Sequence, residues 1–223
     1  MGILYIVSTP IGNLADITLR AIETLKSVDL VVCEDTRVTG KLLKHFEIEK
    51  PMIILNDFNE VRQVSLICSR LLAGESLALV SDAGTPLISD PGFKMVREAI
   101  EKGIKVESIP GPSAVIAALT VSGLPPDKFT YVSYLPKKDG KRKKFLEDLK
   151  TSRQIVKSTI IAFESPFRLL KTLANIKEVF GDIEIVICRE LTKMHEEIFR
   201  GYISESQDHF SKAIPKGELT LLW

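Results

Sequence analysis

Short apolar runs rich in β-branched residues alternate along this chain with longer segments of helical periodicity. The predicted strands cover residues 3–7, 30–33, 77–80, 106–109, 130–133, 159–163, 183–188 and 219–222. Between the first four strands, apolar residues recur at the spacing of one helix face, as at Leu19, Ile22 and Leu25. Strand–helix–strand alternation is typical of parallel sheets covered by helices. The chain is therefore predicted to be an α/β protein.

The pattern changes after Pro112. A helix of small residues is predicted over 113–121, and a Gly-Leu-Pro-Pro cluster at 123–126 ends it. Further on, the predicted strands at 183–188 and 196–203 are joined by too few residues for a helical crossover, so they should pair antiparallel. We therefore predict two α/β domains, one with a parallel sheet and one with a mixed sheet, over residues 1–112 and 113–223.

The composition is that of an ordinary globular protein, with 45% hydrophobic and 26% charged residues in a chain of 223. This length is sufficient to bury a core without disulfides or metals. The net charge of +1 excludes a protein coated in basic residues, although it does not exclude a local basic patch. The three cysteines, at 33, 68 and 188, are too few and too scattered for a disulfide framework or a zinc site. No metal site is predicted.

The sequence contains no recognisable membrane or export signal. The N-terminus lacks the basic start and cleavage site of a signal peptide. No apolar run approaches the roughly 20 residues that span a bilayer. We expect a soluble, cytoplasmic protein with reduced cysteines that does not bind membranes.

Three predicted strands of the first half run directly into loops rich in glycine and proline. These loops are residues 8–13, 81–92 and 110–113. In an open parallel sheet, ligands bind at the carboxyl ends of the strands, where glycine permits close approach of the backbone. None of the loops matches a phosphate-binding GxxxxGK[ST] or a clean GxGxxG motif. Each loop, taken alone, is equally consistent with a tight turn that binds nothing.

The side chains of these loops favour a ligand without phosphate groups. The three loops contain no Lys or Arg, whereas 81–92 contains Asp82 and Asp90. Backbone donors with acidic side chains and no cations suit a neutral or positively charged ligand, because a phosphate site is expected to include cationic donors. S-adenosylmethionine, with its sulfonium and ammonium groups, fits this description. Asp90 is also predicted, more strongly, as the N-cap of a helix that begins at Pro91.

Seven stretches of the sequence carry a family resemblance. They are YIVSTPIGNL at 5–14, DITLR at 16–20, EDTRVTGKLLK at 34–44, LVSDAGTPLISDPG at 79–92, IPGPS at 109–113, FESPFRLL at 163–170 and RELTKMHEEIFRG at 189–201. Together they resemble the ribosomal RNA small-subunit methyltransferase I family of the tetrapyrrole-methylase superfamily. The resemblance implies S-adenosylmethionine-dependent 2′-O-methylation of a cytidine in the decoding centre of 16S rRNA. It also implies a homodimer of two-domain subunits, with the cofactor in the cleft between the domains.

The resemblance further implies which residues bind the cofactor. They are Thr9, Pro10, Gly12, Asp82, Ala83, Gly84 and Ser113 in the first half, and Phe163, Glu164 and Leu191 in the second. Longer members of the family continue beyond the last strand with a small domain thought to help hold RNA, and this chain is expected to lack it.

The segment KKDGKRKK at 137–144 contains six cations and one anion, a local charge of about +5. Such a run is typical of phosphate contact with RNA, and the resemblance strengthens that interpretation. The predicted RNA-binding residues are Lys137, Lys138, Lys141, Arg142, Lys143 and Lys144. The alternative is a solvated loop that leads into a helix.

Methyl transfer to a ribose hydroxyl requires alignment and a group that accepts its proton or stabilises the alkoxide. Charged residues at predicted strand ends are the candidates, namely Glu34, Asp35, Glu164, Glu190 and Lys193, with Arg37 as a phosphate-binding or orienting group. Glu34, Arg37 and Lys193 are preferred as catalytic residues, because they lie in motifs that resemble the RNA-methylating branch. Two alternatives stay open: a methyltransferase of the same fold that acts on a tetrapyrrole or another small molecule, and a catalytically silent RNA-binding or ribosome assembly factor.

Overall fold

The predicted alternation of strands and helices is present in the computed structural model, which describes residues 1–56, 58–213 and 215–223. These residues divide into two units, Met1–Ser113 and Ala114–Trp223. Each unit is built around one five-stranded sheet, parallel in the first and mixed in the second. The predicted α/β fold with two different sheets is therefore confirmed.

The first unit alternates strands and helices from its start. Its elements are β1 (Ile3–Val7), a 3₁₀ turn (Leu14–Asp16), α1 (Leu19–Ser27), β2 (Leu30–Cys33), α2 (Thr36–His45), β3 (Met52–Ile54), α3 (Glu60–Leu72), β4 (Leu77–Leu79), α4 (Phe93–Glu101) and β5 (Lys105–Ile109). All five strands are parallel, in the order β3-β2-β4-β1-β5. The sequence patterns predicted β4 but not β3, which is a three-residue edge strand whose residues are partly buried or exposed.

Alternate residues of these strands point to opposite faces of the first sheet. Leu4 and Ile6 pack with α3 and α4 on one face, whereas Val7 and Val31 pack with α1 and α2 on the other. Both faces are covered, which explains why β1, β2, β3 and β4 consist almost entirely of apolar residues, whereas the edge strand β5 contains Lys105, Glu107 and Ser108.

Helix α4 begins at Phe93, so the prediction of an N-cap at Asp90 is wrong. Its N-cap residue is Gly92, with φ +121°. The buried carboxylate of Glu60, at the start of α3, accepts hydrogen bonds from the N–H groups of Gly92 and Lys94 at 3.1 and 3.3 Å. The side chain that caps α4 therefore comes from another helix.

The second unit contains four strands of mixed direction around a fifth in the middle. Its elements are α5 (Ala114–Ser122), β6 (Phe129–Tyr134), α6 (Asp139–Ile155), β7 (Thr159–Glu164), α7 (Leu169–Phe180), β8 (Glu184–Arg189), β9 (Glu197–Tyr202), α8 (Ile203–Ser211) and β10 (Leu219–Leu222). The strand order is β6-β7-β10-β8-β9. Helix α5 packs on one face of this sheet, and α6, α7 and α8 pack on the other.

The directions of the strands decide which loops of the second unit lie together. β6 is parallel to β7, and β10 is antiparallel to both β7 and β8. β6, β7 and β8 therefore run the same way, and their carboxyl ends lie along one edge. We call this edge the second carboxyl edge, and we call the corresponding edge of the parallel sheet the first carboxyl edge.

All three cysteines are buried and unpaired. Burial raises the pKa of the Cys33 thiol to about 11 and that of Cys188 to about 12. Cys33 and Cys188 pack as small apolar residues in β2 and β8, and Cys68 packs in the same way in α3. No helix within the described residues is long and apolar enough to cross a bilayer.

Candidate functional site

The first carboxyl edge contains a topological switch point between β1 and β4. The chain leaves β1 towards β2 on one side of the sheet, and it leaves β4 towards β5 on the other side. Adjacent strands whose connections diverge in this way open a crevice at their carboxyl ends, where open α/β sheets bind ligands. The loops at 8–13 and 81–92 follow these two strands.

Hydrogen bonds join the three loops of this edge to one another. Thr9 and Gly84 exchange backbone hydrogen bonds of 2.8 and 3.1 Å. The hydroxyl of Ser8 donates to Thr85 Oγ1 at 3.2 Å, and the hydroxyl of Thr85 donates to the carbonyl oxygen of Pro112 at 3.0 Å. The loops after β1, β4 and β5 therefore form one connected backbone surface.

The backbone of this surface is strained at several positions. Gly84 has φ +80°, and a Cβ added there would lie 3.1 Å from Ile11 Cγ2. Leu87 and Ser89 have φ values of +76° and +71°, which residues other than glycine rarely adopt. Such strain clusters at ligand-binding sites. All seven predicted cofactor residues of the first half lie on these loops: Thr9, Pro10 and Gly84 are buried, Gly12, Asp82 and Ala83 are exposed, and Ser113 is half-buried.

Two carboxylates meet beside the switch point. The N–H of Asp35, which caps α2, donates to Asp82 Oδ1 at 3.2 Å. Arg37, whose side chain is 86% exposed, holds both oxygens of Asp35 and lowers the pKa of that carboxyl to about 2. Partial burial, together with the charge of Asp35, raises the pKa of Asp82. Glu34 is half-buried and directly precedes this cluster.

The predicted cofactor residues of the second unit lie at the second carboxyl edge. Phe163 is half-buried, and its ring makes edge contacts with Tyr131 and Tyr134, at centroid distances of 5.2 and 5.7 Å. Leu191 is half-buried and packs against the cluster beneath α5. Both residues border the loops that follow β7 and β8.

The prediction that the side chain of Glu164 binds the cofactor is corrected, because its carboxylate is buried and both of its oxygens accept hydrogen bonds within the second unit. Oε1 accepts from Ser165 N at 2.6 Å and from Arg168 Nε at 2.7 Å, and Oε2 accepts from Thr172 Oγ1 at 2.5 Å. The side chain closes the turn between β7 and α7. It is therefore not available to bind a cofactor.

The loop after β8 places a cation between two carboxylates. Lys193 Nζ lies 2.8 Å from Glu190 Oε1 and 3.0 Å from Glu218 Oε2. Partial burial acts to lower the pKa of Lys193, but the two carboxylates outweigh it and raise the pKa. Glu190 and Thr192 both have positive φ, at +50° and +67°, so this loop is strained like those of the first unit.

The basic segment at 137–144 spans the start of α6. Lys137 and Lys138 precede the helix and are exposed, as are Lys141 and Lys144 within it. Lys144 pairs with Asp148 at 3.1 Å, and the half-buried Lys143 pairs with Glu178 at 2.7 Å. Such surface pairs contribute little and exchange readily for other anions.

The prediction that Arg142 binds RNA is corrected, because its side chain is only 3% exposed. Its guanidinium donates to Asn175 Oδ1 at 2.6 Å and to the carbonyl oxygens of Pro136 and Lys137 at 3.2 Å each. It also pairs with Asp139 at 3.0 Å. Arg142 therefore fixes the start of α6 and does not face solvent.

Two residues that tie the first-edge loops together, Ser8 and Thr85, were not singled out from the sequence. For Ser8 the signal was its position directly after β1, since a hydroxyl there can bond a neighbouring loop, whereas Thr85 lies well beyond the end of β4 and carried no such signal. Glu60 was also missed, because its partners are 32 and 34 residues away. Across residues 1–56, 58–213 and 215–223, no cluster of three or more His, Cys, Asp or Glu side chains could hold a metal.

Sequence comparisons assign this architecture to a family. Residues 3–207 match the family described as Tetrapyrrole (Corrin/Porphyrin) Methylases. The whole chain is 48% identical to ribosomal RNA small subunit methyltransferase I of Thermotoga maritima and covers 98% of that protein. It is 46% and 48% identical to the proteins of the same name from Synechocystis and Vibrio cholerae, of which it covers 78% and 76%.

Solved structures with this fold are much less similar in sequence. The chain matches diphthine synthase with a TM-score of 0.76 at 16% identity, covering 99% of this chain and 89% of that one. It matches a uroporphyrin-III C-methyl transferase from Thermus thermophilus, complexed with S-adenyl homocysteine, with a TM-score of 0.68 at 18% identity, covering 99% and 97%. At such identities the likeness concerns the fold alone.

Proposed function

Since the chain belongs to the ribosomal RNA small subunit methyltransferase I family of the tetrapyrrole methylases, we propose that it methylates 16S rRNA with S-adenosylmethionine. The methyl group goes to the 2′-oxygen of a cytidine ribose in the decoding centre. The observation that supports this proposal most strongly is the identity of 46–48%, over the full length of the chain, to proteins named ribosomal RNA small subunit methyltransferase I.

The first carboxyl edge has the chemistry of an S-adenosylmethionine site. Its loops present backbone N–H and carbonyl groups, exposed carboxylate at Asp82 and no Lys or Arg in 8–13, 81–92 or 110–113. Thr9, Pro10, Gly12, Ala83, Gly84 and Ser113 complete the proposed set there. Phe163 and Leu191 are the further residues that we propose for cofactor binding. When bound, the cofactor supplies an electrophilic methyl group on a sulfonium.

The protein's own charged groups have distinct proposed roles. A lysine is a cation at neutral pH, and the carboxylates of Glu190 and Glu218 raise the pKa of Lys193 further, so this residue suits stabilisation of the developing alkoxide and not proton abstraction. Glu34 is the proposed proton acceptor. Arg37, exposed at the start of α2, suits contact with an RNA phosphate.

The proposed RNA contacts are the lysines of the basic segment, without Arg142. Lys137, Lys138, Lys141 and Lys144 are exposed, and Lys143 is half-buried. They would neutralise phosphates around the target and release counterions. Because the substrate is part of the small ribosomal subunit, the proposed location is the cytoplasm. We also propose that the active unit is a homodimer, which light scattering of the purified protein would test.

The decisive experiment incubates the protein with labelled S-adenosylmethionine and 30S subunits that lack this methylation. Mass spectrometry of the digested 16S rRNA should place the label on one cytidine ribose. Label on a base, or none on RNA, would contradict the proposal. Methylation of a tetrapyrrole would favour the small-molecule enzyme, and absence of cofactor binding in calorimetry would favour a silent assembly factor.

A further inference from the structure

The turn that follows β7 exposes an aromatic ring at the second carboxyl edge. Phe167 is 84% exposed, although a phenylalanine normally gains about 1.5–3 kcal/mol from full burial. Isolated exposed apolar residues are common on protein surfaces, so exposure by itself indicates little. The surroundings of this ring are what distinguish it.

The backbone beneath Phe167 is held on both sides by a buried hydrogen-bond network. Glu164 accepts from Ser165 N at 2.6 Å on one side and from Arg168 Nε at 2.7 Å on the other. Thr172 fixes the second oxygen of Glu164 from within α7. The ring therefore projects from a rigid turn and not from a flexible loop, which reduces the entropy lost on binding a partner.

The same network connects this turn to the basic segment. Arg168 donates through a terminal guanidinium nitrogen to the carbonyl oxygen of Leu135 at 3.1 Å, at the end of β6. The exposed Lys137 and Lys138 follow two and three residues later. β6 and β7 are adjacent and parallel, so an exposed ring and exposed ammonium groups stand at neighbouring strand ends.

We propose that Phe167 is a base-stacking residue of the RNA-binding surface, with Lys137 and Lys138 binding the phosphates beside the stacked nucleotide. This inference rests on the proposed rRNA methylation and specifies how the substrate is held. A rigid exposed ring beside cations is the combination by which proteins bind unpaired nucleotides, since every base offers a face for stacking. The ligand is an unpaired nucleotide of the target RNA.

A matched pair of substitutions tests the ring. Phe167→Ala should raise the KM for unmethylated 30S subunits about tenfold, with an unchanged S-adenosylmethionine Kd, because one stacking contact is lost. Phe167→Tyr keeps the ring and should stay close to the original protein. Ile155→Ala is the control, because Ile155 is 83% exposed in the same unit but lies far from the turn. It is the last residue of α6 and precedes the start of β7, at the edge of the sheet opposite the second carboxyl edge.

A fluorescent reporter tests stacking directly, even if Phe167→Ala folds poorly. The single native tryptophan, Trp223, is 2% exposed, so Phe167→Trp adds an accessible indole. Single-stranded RNA from the decoding-centre region should quench it, and should not quench the indole of Ile155→Trp.

The outcomes separate this inference from the function on which it rests. No methyl transfer by the original protein would overturn the proposed function. Normal transfer by the original protein with an unchanged KM in Phe167→Ala and no quenching in Phe167→Trp would overturn only the stacking role. Loss of a dimer in Phe167→Ala would also overturn it, because the ring would then belong to a subunit contact.

Discussion

The two carboxyl edges of this protein differ in the interactions that hold their loops and in the sign of their exposed charge. At the first edge, backbone hydrogen bonds such as the pair between Thr9 and Gly84 hold glycine-rich loops together, and the exposed charge of Asp82 is negative. At the second edge, side-chain ion pairs such as that of Arg168 with Glu164 fix the loops, and lysines surround them. Both edges contain residues with positive φ, so both are strained.

This difference matches two different ligands. A small zwitterionic cofactor is recognised by fixed backbone groups at close range, which requires glycine and excludes competing cations. A polyanion is recognised by mobile ammonium groups that track phosphates and by rings that stack on bases. The comparison therefore predicts that substitutions in the glycine-rich loops of the first edge weaken cofactor binding and spare RNA, whereas substitutions of the lysines at the second edge weaken RNA binding and spare the cofactor.

The largest effect is expected at the first edge from Gly84→Val. Its φ of +80° strains any side chain by about 1–3 kcal/mol, and the added Cβ approaches Ile11. We expect S-adenosylmethionine affinity to fall roughly 100-fold in calorimetry, with RNA binding unchanged. Gly103→Val is the control, since Gly103 has φ +71° with no atom within 4 Å of an added Cβ. Equal loss of cofactor affinity in both variants would contradict the assignment of the loop.

The next effect is expected at the second edge from simultaneous replacement of Lys137, Lys138, Lys141 and Lys144 by Ala. Four lost phosphate contacts should reduce the slope of log affinity against log salt by about 3. RNA affinity at physiological salt should fall roughly 30-fold, with unchanged cofactor affinity. Arginine at all four positions should retain the slope. An unchanged slope in the alanine variant would place the RNA elsewhere.

Arg142→Met tests whether this residue of the basic segment stabilises the fold or binds RNA. Its removal leaves Asn175 Oδ1 and two carbonyl oxygens without their guanidinium donor. The free energy of unfolding in urea should fall by about 2 kcal/mol, because buried acceptors then lose their partners. The salt dependence of RNA binding should not change. A stable variant with a reduced slope would restore Arg142 as a phosphate ligand.

The smallest effect concerns Lys193. Because its pKa is raised above the ordinary value of 10.5, the cation is fully present below that value and is lost only as the pH rises through the raised pKa. Lys193→Met should lower kcat roughly fivefold, and this factor should be the same at every pH between about 6 and 9. Lys193→Arg should lower kcat less, because it keeps a positive charge. A loss that varies across this pH range would indicate that Lys193 titrates and acts as a base.

Regular elements were predictable from the sequence because their signals are local. The strands at 3–7, 30–33 and 219–222 agree with the structure, since their apolar runs are bounded by clear breaks. The short β3 and the start of α4 were not predictable. β3 is a short edge strand whose residues are partly buried or exposed, and Glu60 caps α4 from a distant part of the chain.

The candidate site was predictable in outline but not in the use of individual side chains. Glu164 and Arg142 lie in segments that the sequence singled out, yet both side chains are buried and serve the fold. For Arg142 a signal existed, because it precedes the core residue Leu146 by four positions and so shares its helix face. For Glu164 there was none, since its partners become apparent only once the turn has formed.

The central position of β10 has a consequence for how the protein is made. β10 lies between β7 and β8, and it is the last strand of its sheet to be synthesised. The strands of the first unit are complete by Ile109, so that unit can fold while translation continues. The second unit must wait for Leu222, and until then the facing sides of β7 and β8 lack their hydrogen-bonding partner. On the translating ribosome, the glycine-rich loops proposed to bind the cofactor therefore mature before the basic segment proposed to bind RNA.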